Sequence, residues 1–147
     1  MKADNLIFPV ILIGGGLIAF KTFFKGFSGE PSKEQKKQAE VIKNKIKDQE
    51  VTEKPSYTNE SYFNLADKIQ AAGNTFFGTN EKVIFAAFKL MKTNLDVLKL
   101  IDAFGFRRLE YTTTLGSLSM FLISELNTNE LNTIKKDLSD KGITVLI

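Results

Sequence analysis

The 147-residue chain has no cysteine, no histidine and no tryptophan. Without cysteine there can be no disulfide framework, no thiolate metal site and no thiol nucleophile. Without histidine the chain lacks the usual general base near neutral pH and the commonest metal ligand. These two absences argue against most enzyme designs and do not exclude a carboxylate-based one. Arginine is almost missing as well. Eighteen lysines stand against two arginines, Arg107 and Arg108, and the formal net charge is +3.

The position of that charge says more than its size. Residues 1–56 hold ten lysines against seven acids, and residues 57–147 hold ten basic residues against ten acids. A nucleic-acid binder carries a basic face on its folded domain, usually with arginine. The C-terminal two thirds of the chain is neutral, so no nucleic-acid partner is expected.

What is present begins with an uncharged run, LIFPVILIGGGLIAF, at residues 6–20. Lys21 interrupts it and TFF extends it to Phe24. A bilayer-spanning helix needs about 20 apolar residues, and the run reaches that if Lys21 snorkels to the head groups. The expectation is a transmembrane anchor over residues 1–25, with Leu6, Ile7, Ile11, Leu12, Leu17 and Phe20 meeting lipid. Gly15 and Ala19, four apart, would permit close approach of a second helix. Two other readings stay open, a cleaved signal peptide and a buried core helix. The first has only Lys2 in its n-region and no small-residue cleavage site after the apolar run. Lys21, Lys25, Lys33, Lys36 and Lys37 follow the run, and positive charge on that side would keep the C-terminal part in the cytoplasm or an equivalent interior.

Residues 26–56 read as a polar connector. GFSGEPS breaks the chain, and Ser32 with Gln35 forms a capping-box pattern ahead of KEQKKQAEVIKNKIKDQEV. The only apolar stripe there is Ala39, Ile42 and Ile46. Its narrowness predicts a solvated spacer helix, about 28 Å long at 1.5 Å per residue, that holds the next domain away from the membrane. Pairing with a neighbouring copy along the same stripe is the alternative.

Residues 57–147 carry five helical patterns. The first, 58–73, places Tyr62, Leu65, Ala66 and Ile69 on one face and stops at Gly73. The second, 79–92, has Thr79 as its expected N-cap and Val83, Ile84, Ala87, Phe88 and Met91 as its core face. In the third, 93–105, Thr93 caps, Asp96 completes a capping box, and Gly105 ends the helix. The fourth, 113–127, carries Leu115, Leu118, Phe121, Leu122 and Leu126. The fifth, 128–142, carries Leu131, Ile134 and Leu138 and ends at Gly142. ITVLI then forms a short strand or an apolar tail that seals the bundle. The fold class is therefore all-α: a transmembrane helix, a polar spacer helix and a five-helix bundle.

The order of these elements resembles a single annexin-type repeat over residues 58–142. The loop FFGTNE after the first helix is similar to the family's Gly-Thr-Asp-Glu loop. FGFRRL resembles the repeat's aromatic-Gly-x-Arg turn, and SELN its Ser-Glu-Leu-Thr/Ser turn. The resemblance implies a loop at Phe76–Phe77 that faces a membrane. There the two phenylalanines would enter the interface, or fold back as a staple between the first two helices. It also implies a calcium loop of Gly-x-Gly-Thr type with a carboxylate about 40 residues on. Gly78 and Thr79 match half of that loop, and Phe76 replaces its first glycine. GSLSM stands where the acid belongs, with Glu110 and Glu125 seven or eight positions away. Calcium takes six to eight oxygens, so no calcium or other cofactor is expected.

The remaining chemistry is sparse. RRLEY at 107–111 could grip a phosphate or carboxylate, with Arg107 and Arg108 as contact residues, or could form a structural ion pair in an interhelical turn. Asp96 and Asp102, six apart, lie on different faces of one helix. Glu125 and Glu130 flank a turn, where capping explains them. There is no nucleophile–base pair, metal-ligand spacing or phosphate loop. A glycan hydrolase would need paired carboxylates in a cleft, and none can be placed. The expectation is a non-enzymatic structural or scaffold protein, single-pass in a bacterial inner membrane or a bacteriophage virion membrane. Its partners would be the lipid bilayer, other structural proteins and copies of itself. The alternative is an envelope tether that binds lipid or cell-wall polymer through Phe76–Phe77.

Overall fold

Among the described residues six helices carry the fold, with one short β-ribbon between the fourth and the fifth. The computed structural model describes residues 30–73, 78–109 and 114–145. The expected span over Leu6–Phe20 lies outside them, as do Phe76, Phe77 and Glu110. Among the described residues no helix is long and apolar enough to cross a membrane.

Helix α1, Lys33–Glu50, starts where its sequence says it should. Ser32 Oγ accepts the Gln35 amide at 3.1 Å, and Gln35 Oε1 accepts the Ser32 amide at 2.8 Å. The two bonds satisfy amides that a helix start otherwise leaves unpaired. What the sequence misjudged is its surroundings. Ile42 is 0% and Ile46 7% exposed, and α1 packs on α4, Asn94–Phe104. The helix is thus part of the domain and not a solvated spacer. The reason lies in α4, which buries Leu95, Val97, Leu98, Leu100, Ile101, Ala103 and Phe104 on almost every side. A helix apolar all round needs cover all round. The narrow stripe of α1 supplies the cover that α2 cannot. Polar bonds secure its far end: Lys99 Nζ lies 2.6 Å from Glu50 Oε1, and Glu53 Oε2 accepts the Leu95 amide at 3.1 Å.

Helix α2, Asn59–Gly73, buries Tyr62, Ala66, Ile69, Ala72 and Gly73, a stripe at helical spacing that packs on α4 and on α3, Glu81–Lys89. Leu65 is partly buried against the same core. The last residue of α2, Gly73, is a glycine for a packing reason. A Cβ there would lie 2.4 Å from Phe121 Cζ, far inside van der Waals contact. The Asn80 amide donates to the Ala72 carbonyl at 2.8 Å and draws the ends of α2 and α3 together.

Helix α3 is shorter than its pattern. It buries Ile84, Ala87 and Phe88 and stops at Lys89, so that Met91, fully buried, is reached by irregular backbone. Lys141 Nζ donates to the Lys89 carbonyl at 3.0 Å and covers that open end. Its N-cap is Asn80 and not Thr79. Helix α4 begins at Thr93, whose hydroxyl oxygen accepts the Asp96 amide at 3.1 Å, and ends at Gly105 with φ 58°. Only glycine takes such a φ at little cost.

The expected fourth helix is cut at its start. Arg107–Arg108 (β1) pairs antiparallel with Leu115–Gly116 (β2), with Arg107 opposite Gly116 and Arg108 opposite Leu115. Helix α5 then runs only over Leu118–Glu125, with Ser117 as N-cap. Helix α6, Thr128–Asp140, opens on a full capping box between Asn127 and Glu130 and buries Ile134 and Leu138. After Gly142, at φ 72°, residues 143–145 are not a strand. Ile143 is buried, and Asn94 Oδ1 accepts the amides of Thr144 and Val145 at 2.8 and 3.0 Å. The tail seals the start of α4, one of the two outcomes its sequence allowed.

Candidate functional site

Two charged side chains are buried among the described residues, Asp96 and Arg107. Both hold elements together. Asp96 sits in the first turn of α4, where the helix dipole favours an acid. It is 0% exposed. Its Oδ1 accepts the Tyr62 hydroxyl at 2.6 Å and the Ser56 amide at 2.8 Å. Its Oδ2 accepts the Ser56 hydroxyl at 2.7 Å and the Lys92 amide at 2.9 Å. Burial works against its charge, but the bonds from Tyr62, Ser56 and Lys92 outweigh it and hold the carboxyl below the usual range. The same pair pushes the Tyr62 phenol well above its ordinary value, through burial first and then the Asp96 bond and charge. Tyr57 stacks edge-on to Tyr62 at 5.9 Å, and Lys92 Nζ lies 5.4 Å from the Tyr57 ring centre. Asp96 does not complete a capping box at Thr93, as its position suggested. It gathers the connector at Ser56, helix α2 and the α3–α4 turn onto one carboxylate.

Arg107 does the matching work at the other end of α4. Nη1 lies 2.7 Å from Asp67 Oδ1 and 2.9 Å from Gln70 Oε1, both on α2. Nε donates to the Phe104 carbonyl at 2.9 Å and Nη2 to the Ala103 carbonyl at 3.3 Å. A cation on the last carbonyls of a helix satisfies acceptors the helix cannot. Burial lowers its pKa, and Asp67 opposes the shift. At 8% exposed, Arg107 is no contact residue for an outside ligand, contrary to one expectation. It is the structural ion pair that the other expectation named. Arg108, on the same strand, is exposed.

Asp102 lies on α4, half-buried near Lys43 of α1 and Lys99. Burial raises its carboxyl to about 6, and the two lysines hold the rise back. Asp102 and Asp96 occupy different faces of α4, and the two carboxylates do not form a catalytic pair.

The loop that the resemblance singles out includes Gly78 and Thr79. Gly78 has φ 102°, and the hydroxyl of Thr79 donates to Glu125 Oε2 at 2.7 Å. Glu125 is therefore no turn cap. It reaches from the end of α5 to the loop 46 residues earlier. The spacing expected for a loop carboxylate was nearer 40, so the pair was not legible in sequence. One carboxylate, already bonded to Thr79, falls short of the six to eight oxygens calcium takes. No cluster of three or more acidic side chains forms among the described residues. The described residues do not fit the ion the resemblance implies.

No protein-family model matches the chain, and no curated protein or solved structure matches it either.

Proposed function

We propose that the chain is a non-enzymatic structural protein of a membrane, in which the apolar segment 6–24 anchors a small helical module that contacts other structural proteins. One observation carries this reading: α1 is docked on α4 through Ile42 and Ile46. The rigid body therefore starts at Ser32, eight residues after Phe24. Seven residues, 25–31, separate the two, at most about 25 Å when fully extended. A module held that close is placed relative to the bilayer, as a scaffold component must be, rather than carried on a long arm. The use of Asp96 and Arg107 as internal ties supports the same reading, since both stabilise a rigid body. Likeness to an annexin-type repeat is proposed from the FFGTNE, FGFRRL and SELN motifs. The excess of lysine over arginine, with frequent asparagine and isoleucine, supports a prokaryotic or viral source. A bacteriophage virion membrane or a bacterial inner membrane is the location proposed.

Fractionation of native particles and membranes tests this. The full chain is expected to resist alkaline carbonate extraction and to appear by cross-linking mass spectrometry in a complex of fixed stoichiometry. A chain that stays soluble and monomeric without detergent overturns the reading.

A further inference from the structure

Helix α5 leaves two large apolar side chains uncovered, Met120 at 46% and Ile123 at 50% exposure. Three apart on a helix, they share a face. The same helix buries Leu118, Phe121 and Leu122, so that face points away from the core. Its place in the molecule matters more than its size. Gln35 Nε2 donates to the Leu115 carbonyl at 2.8 Å, which pins the start of α1 beside β2, three residues before α5 begins. The first 29 residues, with the apolar run 6–24, therefore join the domain at the end where Met120 and Ile123 stand. Lys33, Lys36 and Lys37 are exposed on the opening turns of α1 at that same end. Two acids are there as well: Glu34 is exposed, and Glu30 lies 3.9 Å from Lys36. The lysines outnumber them.

We propose that Met120, Ile123 and the Lys33–Lys36–Lys37 cluster form a surface that rests on an anionic lipid bilayer. This rests on the anchored reading above and adds which face of the module meets the membrane. The occupant follows from chain continuity. The short link from Phe24 keeps this end of the domain within reach of the head groups. Apolar side chains beside long lysine stems are the composition of interfacial surfaces, where the apolar part enters the acyl boundary and the amines meet anionic lipid.

The cysteine-free chain makes the test direct. Met120→Cys, Ile123→Cys and, as a distant control on α6, Ser139→Cys are each introduced alone into the full chain. Each variant carries a nitroxide label and is reconstituted in phosphatidylcholine vesicles with and without phosphatidylglycerol. Collision with oxygen reports lipid, and collision with a water-soluble nickel chelate reports solvent. In anionic vesicles the oxygen-to-nickel ratio is expected to rise several-fold at 120 and 123 over that at 139. Lys33→Glu with Lys36→Glu and Lys37→Glu should reduce the rise. Labels at 120 and 123 as open to nickel as the label at 139, in a chain that resists carbonate extraction, overturn the proposed face and leave the anchor standing. Labels shielded from both probes and broadened by a second label show that a second copy covers the face, and also overturn it. A chain removed by carbonate whose labels had reported lipid beforehand overturns the anchor and supports the face.

Discussion

Tyr62 and Asp96, 34 residues apart in sequence, meet at 2.6 Å in the core, with the phenol donating to Oδ1. The bond joins α2 to the first turn of α4, and three further donors from Ser56 and Lys92 complete the carboxylate. Every oxygen of a charge with no solvent exposure is thereby engaged, which is the condition under which a buried carboxylate is tolerated.

Removing the carboxylate strands four donors. Asp96→Ala is expected to cost about 3 kcal/mol or more, a large part of the 5 to 15 kcal/mol typical of a domain. Tyr62→Phe removes one donor only and is expected to cost about 1 to 1.5 kcal/mol. Equilibrium urea denaturation of both variants and of the double variant checks this. Purely additive losses would show that the pair is not coupled.

The docking of α1 makes a sharp prediction about a residue that sequence assigned to solvent. Ile42→Ala is expected to destabilise by about 2 to 4 kcal/mol, as loss of a fully buried isoleucine does. A spacer helix would show almost no change. Hydrogen exchange at the α1 amides gives a second readout, since undocking should expose them together.

Asp102 should make the domain less stable as pH rises. Its carboxyl titrates at about 6 when folded and at 3.8 when exposed, so between those values the folded chain holds the extra proton. Stability from this group is present below about pH 4 and is lost as pH passes 6, on the order of 2 to 3 kcal/mol. Asp102→Asn is therefore expected to raise the denaturation midpoint at pH 7.5 and to leave it unchanged at pH 4. Asp96 acts in the opposite sense, since its lowered pKa makes its contribution fade as pH falls through the acid range.

Gly73 tests the close approach of α2 to α5. An added Cβ would meet Phe121 Cζ at 2.4 Å and Glu125 Cδ at 2.9 Å. Gly73→Ala is expected to cost about 1 to 3 kcal/mol by overpacking, although alanine favours helices over glycine. A thermal melt that moves upward would show that Phe121 yields without strain.

Local signals were legible in the sequence wherever a helix start or stop is chemical. Ser32 with Gln35, Thr93, Glu130, Gly105 and Gly142 all act within a few residues of where they stand. The same logic fails at Thr79 and Glu125. Both have the chemistry of caps, and each turned instead to the other across 46 residues. RRLEY left two uses open, and only the neighbours Asp67 and Gln70 decided between them. The fourth helical pattern runs past the helix itself because Leu115 fits a helical stripe as well as a buried ribbon.

The sequence alone determined an all-α domain, the limits of most of its helices, the exclusion of thiol and imidazole chemistry, and the polarity of charge along the chain. These follow from residue identity and from spacing within one or two turns. The tertiary structure decided that α1 is a core helix, that Asp96 and Arg107 are ties at the two ends of α4, and that Met120 and Ile123 face outward beside the start of α1. Each of those depends on what a side chain meets from an element far away in sequence. A narrow stripe, a carboxylate or a guanidinium has no fixed role until that partner surface is in place.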